Sequence, residues 1–380
     1  MKQTARIIST YSADVFGVCS ALFELGGMVI MHDASGCNST YTTHDEPRWY
    51  DMESMVYISG LSEMEAIMGD DEKLIGDIVA AAEDLKPRFI AVAGTPIPTM
   101  TGFDFTAVAE LIEQRTGIPS FGFPTTGMNT YVHGASMAFE ALVRRFADRD
   151  AEKTEDLSVN ILGLTPLDFT VNGSDTAIAS FLEDSGFRVL SRWAMGSTLE
   201  DLAGAGSAHV NLVVSSTGLA AAKALRELFG TPYVVGVPMG EAYGTLIRDA
   251  LHTAAATGEN RYPSCELPGG DTVIIGEAAA SVSLASALEL SGNAGVRVLC
   301  PTECSEEILR EKDRKICCEE EIEEILPAAR RVIGDPLFRP ICPEGTTFIE
   351  LPTEAFSGRI YREEIPNLVT EFAHFLQEVV

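Results

Sequence analysis

Val29-Ile30-Met31-His32-Asp33-Ala34-Ser35-Gly36-Cys37 begins as an apolar run of strand type and ends in a glycine and a cysteine. An amphipathic helical pattern over Ala13–Leu25 precedes it and stops at Gly26-Gly27, a helix-stop signal. The strand therefore delivers His32, Asp33 and Cys37 to its carboxyl end, the edge where open α/β sheets place their ligands. Gly36 lets the chain turn tightly and come close to a bulky group. A thiolate held on such a turn suits a metal or an iron–sulfur cluster, and a buried structural cysteine equally well.

Outward from that stretch, strand-like and helix-like segments alternate to both ends of the chain, the pattern of parallel α/β units. Strands are expected near Ser54–Ser59, Arg88–Ala93 and Ile118–Phe123, then Val159–Leu164, Arg188–Ser191, Val210–Val214 and Tyr233–Val237. Further strands fall at Thr272–Ile275, Val296–Cys300, Arg331–Ile333 and Thr346–Glu350, and helices at Ala278–Leu290, Cys318–Leu326 and Ile365–Val379. The charged stretch Asp148–Asp156 and the proline- and glycine-bearing stretch Gly258–Gly270 mark boundaries. The expected organisation is three Rossmann-like domains, 1–152, 153–264 and 265–380, each a mainly parallel sheet flanked by helices, around a central cleft. Strand ends followed by a turn and a proline recur at Thr95-Pro96, Thr165-Pro166, Phe123-Pro124, Val237-Pro238, Cys300-Pro301 and Asp335-Pro336, which places loops at the carboxyl edges of similar sheets.

A formal net charge of −29 argues against nucleic acid and anionic membrane surfaces, and fits a solvated acidic surface or a basic docking partner. The apolar run Val15–Met31 is interrupted by Glu24 and glycines, so it is not a membrane span. With no signal-type segment at Met1–Arg6, a cytoplasmic location is expected, and the eight cysteines are read as free thiols or ligands.

The chain carries no phosphate-binding Gly-x-x-x-x-Gly-Lys-Ser/Thr loop, hence no nucleotide site of its own, and no dinucleotide fingerprint opens the first helix. It also lacks a Gly-x-Ser-x-Gly elbow and any Cys-x-x-Cys pair. Cys19, in the middle of the first helix, pairs with Cys37 as a candidate metal ligand, because two copies of both around a two-fold axis would supply four thiolates. Ordinary helix packing is the other reading of Cys19. Cys300, Cys304, Cys317, Cys318 and Cys342 match no standard site spacing, and their roles stay open. Glu241, Tyr243, His209 and Arg192 lie near strand ends as cleft candidates, where polar loop residues are also common for structural reasons.

His32-Asp33-Ala34-Ser35-Gly36-Cys37 resembles the His-Gly-x-x-Gly-Cys segment of nitrogenase component 1 subunits, whose cysteine ligates the P-cluster. Ile58 to Leu74 is similar to the family segment that follows, Thr95-Pro96-Ile97-Pro98 falls where the family has Cys-Pro-Ile-Gly, and Ile118 to Gly134 resembles the next strand and helix. Val210 to Ser215 resembles the strand leading to the cofactor-ligating cysteine, and the likeness is looser in the last third. Only Cys37 keeps a P-cluster ligand position. The first family cysteine falls near Tyr11 or Ser12, the third at Thr95 and the cofactor cysteine at Ser215, while Asp33 replaces a glycine beside the retained His32.

The resemblance thus implies a short nitrogenase-like oxidoreductase without both large clusters, akin to relatives in tetrapyrrole reduction and cofactor assembly. It implies one iron–sulfur cluster, a 4Fe-4S cubane, at the interface of a homodimer or of a heteromer with a similar subunit. Its electrons would come from an ATP-dependent iron–sulfur reductase. Cys37 and Cys19 are the metal candidates, with His32, Asp33, Gly36, Ser12, Thr95 and Ser215 as further cofactor-binding candidates. Two other readings accompany this one: a non-catalytic scaffold or carrier for a metallocofactor or tetrapyrrole, and a small-molecule binding module.

Overall fold

The computed structural model describes residues 7, 9, 13–34, 36, 38 and 45–379. The opening stretch forms β1 (Met28–Met31), all four residues buried. It pairs in parallel with β2 (Met55–Ile58) and β3 (Ile90–Ala93), Val29 standing opposite Val56 and Ala91. β4 (Ser120–Phe123) completes a first sheet of order β2-β1-β3-β4. Parallel strands need helical crossovers, and helices on both faces exclude water, which is why Ile90-Ala91-Val92-Ala93 reads as an unbroken apolar run.

The pattern repeats twice. β5 (Ser158–Leu162), β6 (Arg188–Arg192), β7 (Val210–Val213) and β8 (Tyr233–Val235) form a second parallel sheet of order β6-β5-β7-β8. β9 (Thr272–Ile275), β10 (Val296–Cys300), β11 (Arg314–Lys315), β12 (Arg331–Gly334) and β13 (Thr347–Glu350) form the third, ordered β11-β10-β9-β12-β13. Each order reverses once, between β1 and β3, between β5 and β7, and between β9 and β12. Such reversals open a crevice at the carboxyl ends of the two central strands. The prolines expected beyond strand ends serve this edge: Pro96, Pro166 and Pro336 each take the first position of a helical turn, where a missing N–H is harmless.

Two expectations need correction. The last helix spans Phe372–Val379 rather than Ile365–Val379. Pro366 offers no N–H, and Asn367 folds a turn instead, its side chain accepting from the Val369 N–H at 3.2 Å and its carbonyl from the Thr370 N–H at 3.1 Å. The two-residue, exposed β11 escaped the sequence reading because it is too short to carry a period.

Close backbone contact joins the first helix, Asp14–Leu22, to the long helix Tyr131–Phe146. A Cβ added at Gly134 would stand 1.8 Å from the Asp14 carbonyl oxygen, and one at Gly17 2.0 Å from that of Tyr131. The buried Arg48 then ties this unit to the second sheet. Its guanidinium pairs with Glu24 at 3.0 Å and Glu46 at 2.6 Å and donates to the carbonyls of Ser20 at 2.9 Å and Ala194 at 2.8 Å.

Gly134→Ala is expected to lower stability by about 3 kcal/mol, because the clash is with backbone that cannot rotate away. Gly76, exposed inside the helix Asp71–Leu85 with open space around it, is the control. Gly76→Ala should raise stability by about 0.5–1 kcal/mol, both shifts being read from urea unfolding midpoints.

Candidate functional site

The first sheet's reversal gathers four of the sequence candidates. His32 follows β1 and Thr95 follows β3, and the Thr95 hydroxyl donates to the His32 carbonyl oxygen at 2.9 Å. The His32 ring, 5 % exposed, hydrogen-bonds the Ser59 hydroxyl through Nδ1 at 2.9 Å and packs 4.4 Å from the Phe103 ring. Burial pulls its pKa down to about 4, against the opposing charges of Asp33 and Glu65, so the imidazole is neutral at pH 7. Asp33 accepts from the Ala34 N–H at 2.8 Å and from the Asn38 side-chain amide at 2.5 Å, a turn that leaves Gly36 exposed. Beside it a cavity of about 200 Å³ is floored by Met28 and Ile30 and rimmed by the Lys73–Glu65 pair at 2.8 Å.

Cys37 and Ser12 lie outside the described residues. Cys19 has no exposed surface and sits in the main apolar core, and burial, followed by the charge of Glu46, pushes its thiol well above the ordinary range. That is the setting of a packing residue, with no face toward a neighbouring subunit in this chain taken alone.

Ser215 belongs to a second cluster, built where the reversals of the second and third sheets face each other. Asp168 comes from the turn after β5, Ser215 from the end of β7, Glu277 from beyond β9 and Asp335 from beyond β12. Asp168, Glu277 and Asp335 line a cavity of about 60 Å³, closed further by Tyr131 and Phe356. Asp168 accepts three hydroxyl donors: Ser215 at 2.7 Å, Thr165 at 3.0 Å and Tyr131 in a short contact. Glu277 caps its own helix through the N–H groups of Ala279 at 3.0 Å and Ala280 at 2.9 Å, and accepts the Ser216 N–H at 2.9 Å and the Ser216 hydroxyl. Asp335 accepts from the N–H of Leu337 at 3.0 Å and of Thr353 at 2.9 Å and from the Ser357 hydroxyl at 2.5 Å.

Burial, reinforced by repulsion from Glu277, raises the Asp168 pKa to about 7 despite the three hydroxyl donors. Burial also raises Asp335, and it raises Tyr131 well above its ordinary value. The described lining holds no lysine, arginine or histidine, so this cleft is acidic and apolar together. A carboxyl that titrates near neutrality, facing an enclosed space, is placed to give or take a proton.

Sequence reasoning missed Asp168, Glu277, Asp335 and Tyr131. For Glu277 and Asp335 a signal existed, since each stands one or two residues past a fully buried strand end. The proposed cleft residues do not line this cavity. His209 accompanies Ser158 at the amino ends of β7 and β5, the opposite edge of the sheet, its Nδ1 lying 3.0 Å from the Ser158 hydroxyl. Arg192 pairs with Asp175 at 3.0 Å, the buried Tyr243 donates to the Pro263 carbonyl at 2.9 Å, and Glu241 is exposed.

Three parallel α/β sheets meeting at their carboxyl edges, with a match to the family model over residues 14–256, define the class: the chain belongs to the nitrogenase component 1 type oxidoreductases. It is 25 % identical over 213 residues to the nitrogenase iron-molybdenum cofactor biosynthesis protein NifE of Rippkaea orientalis, covering 54 % of this chain and 44 % of that one. It is 30 % identical over 176 residues to a light-independent protochlorophyllide reductase component of Prosthecochloris aestuarii, covering 45 % of this chain and 32 % of that one. The chain thus spans less than half the length of these curated relatives. The solved structure of nitrogenase Cp1 at pH 6.5 shares the fold over 100 % of this chain and 95 % of that one, with a TM-score of 0.69 at 16 % identity. Among the described residues no helix is long and apolar enough to cross a membrane.

Residues present do not suit a large metallocofactor in the central cleft. At Ser215 a hydroxyl committed to Asp168 stands in place of a thiolate, and the cavity has room for only a few atoms. Near His32 the Thr95 hydroxyl is likewise committed to backbone, and no group of three His, Cys, Asp or Glu among the described residues is placed to hold a metal ion.

A carboxyl whose pKa is raised on folding binds its proton more tightly in the native than in the unfolded chain. Between about pH 4 and about pH 7 the native state therefore holds more protons, and stability falls as pH rises through that window. Asp168→Asn should flatten this part of the slope relative to the parent chain, read from urea midpoints at successive pH values.

Proposed function

We propose that this chain is the electron-accepting, substrate-reducing component of a nitrogenase-like reductase, and that Asp168 supplies protons to a small molecule held between the second and third sheets. The observation that carries this reading is Asp168 itself: a carboxyl of pKa about 7 facing the cleft where two sheet reversals converge. Reduction of an unsaturated bond couples electron arrival to protonation, and a donor half-protonated near neutral pH balances availability against acidity. Tyr131 and Ser215 hold the two Asp168 oxygens in place through their hydroxyls, and the acidic lining disfavours an anionic substrate. The space is too small for a tetrapyrrole or a preassembled metallocofactor unless the sheets part, which favours catalysis on a small molecule over carriage of a large one.

The chain carries no phosphate-binding loop, which fits a division of labour with a separate ATP-hydrolysing iron–sulfur reductase. We place the entry point for electrons at the His32–Cys37 turn. A 4Fe-4S cluster there would supply single electrons, and because it normally takes four ligands, Cys37 needs groups from a second subunit, either another copy or a similar chain. The described cysteines are all free, in keeping with a reducing cytoplasm.

Anaerobic co-production with the partner reductase tests this directly. The parent protein should be brown, with about four iron per interface, and Cys37→Ala should lose most of that iron. Unchanged iron in Cys37→Ala removes the site from this turn, and a colourless, iron-free parent protein removes the electron-accepting role altogether.

A further inference from the structure

The third sheet carries a second cavity at its amino edge, the edge opposite the acidic cleft. It measures about 590 Å³, a volume typical of small-molecule sites. One wall is the loop that leads into β9, and the strands contribute Val273 and Arg297, which stand opposite each other in register. Glu311 and Lys312 join from the loop after β10.

A rigid frame holds this cavity open. Lys312 Nζ donates to the Leu267 carbonyl at 2.7 Å and to the buried Glu289 at 2.6 Å, and Glu289 accepts the Leu267 N–H at 3.1 Å. Behind them the buried Arg310 pairs with Glu289 at 3.2 Å and with Asp313 at 2.8 Å. Gly270 packs so closely that a Cβ there would stand 1.5 Å from the Gly295 carbonyl oxygen. The wall is therefore set before any ligand arrives, which lowers the cost of binding one.

Five charged side chains line the cavity, and three are committed: Lys312 as above, Glu266 to the Lys312 N–H at 3.1 Å, and Asp271 to Arg330 at 3.4 Å. Arg297 and Glu311 are not. Arg297 is the one exposed residue of β10. Among the described residues neither its guanidinium nor the Glu311 carboxylate has a hydrogen-bond or ion-pair partner. Two opposite charges share one cavity without meeting.

We propose that this cavity binds a zwitterion with an apolar body, its carboxylate on Arg297 and its ammonium on Glu311, the chemistry of a free apolar amino acid or a short apolar peptide. A guanidinium offers a fork of N–H donors that matches a carboxylate, and the Glu311 carboxylate accepts from an ammonium. Leu267, Ile325 and Ala328 supply apolar surface for the body of the ligand. A phosphate or other multiply charged anion is disfavoured. The lining holds three carboxylates against two cations, and the helix Glu319–Ile325 ends here with the negative pole of its dipole. β9 runs from this cavity to the acidic cleft, Val273 lining the first and Ile275 the second, so the two sites share a strand but no lining residue.

Isothermal titration calorimetry of the full chain tests this, with L-leucine and trileucine as probes and the N-acetylated and C-amidated form of each as controls. At least one zwitterion should bind, and blocking either end should weaken it roughly tenfold, the loss of one charge-assisted contact. Arg297→Gln should weaken the zwitterion by a similar factor and leave the amidated form unaffected. Glu311→Gln should do the same and leave the acetylated form unaffected. Both side chains are exposed, so the variants should keep the urea midpoint of the parent chain. Binding of leucine alone identifies a free amino acid, and binding of trileucine alone a peptide. The proposal falls if neither zwitterion binds at about 10 mM, if the blocked forms bind equally well, or if the double variant R297Q/E311Q binds as the parent does.

Discussion

One buried carboxylate, that of Glu277, is shared between the second and third sheets. Its four donors come from both sides: Ala279 and Ala280 on the helix that follows β9, and the N–H and hydroxyl of Ser216 on the loop that follows β7. A helix N-terminus welcomes a negative charge, and here that preference is shared with a neighbouring unit. The cleft exists because this joint sets two carboxyl edges face to face.

The same carboxylate sets the chemistry of the cleft. Repulsion between like charges in a poorly solvated space adds to the burial that lifts Asp168, and with no basic residue in the lining only the hydroxyls of Tyr131, Ser215 and Thr165 oppose it. Structure and proton affinity therefore rest on one residue: what joins the sheets also tunes the acid.

Much of the fold was legible because buried parallel strands leave long apolar words in the sequence, as in Ile90–Ala93, and because prolines mark where those strands end. The turn at His32–Gly36 was legible for the same reason. The acidic cleft was not. With 56 acidic residues in the chain, Asp168 and Glu277 have no local mark that sets them apart. Their meeting depends on which strand ends converge, a property of tertiary packing that no window of sequence contains. Cys19 shows the reverse error: its helical position was read correctly, but the burial of the helix on all sides was hidden by a pattern that looked amphipathic.

The two joints of the molecule differ in kind. Between the first and second units stands Arg48, a single cation with partners on every side, next to a helix pair locked by glycine contacts that leave no slack. Between the second and third units the polar links include hydrogen bonds to carboxylates: Ser216 to Glu277 and Thr170 to Glu354. Water can replace a carboxylate's donors one by one, whereas Arg48 is buried with its partners closed around it. One joint is thus organised around a single buried cation and the other around carboxylates, and the second is the one whose polar links water can compete for.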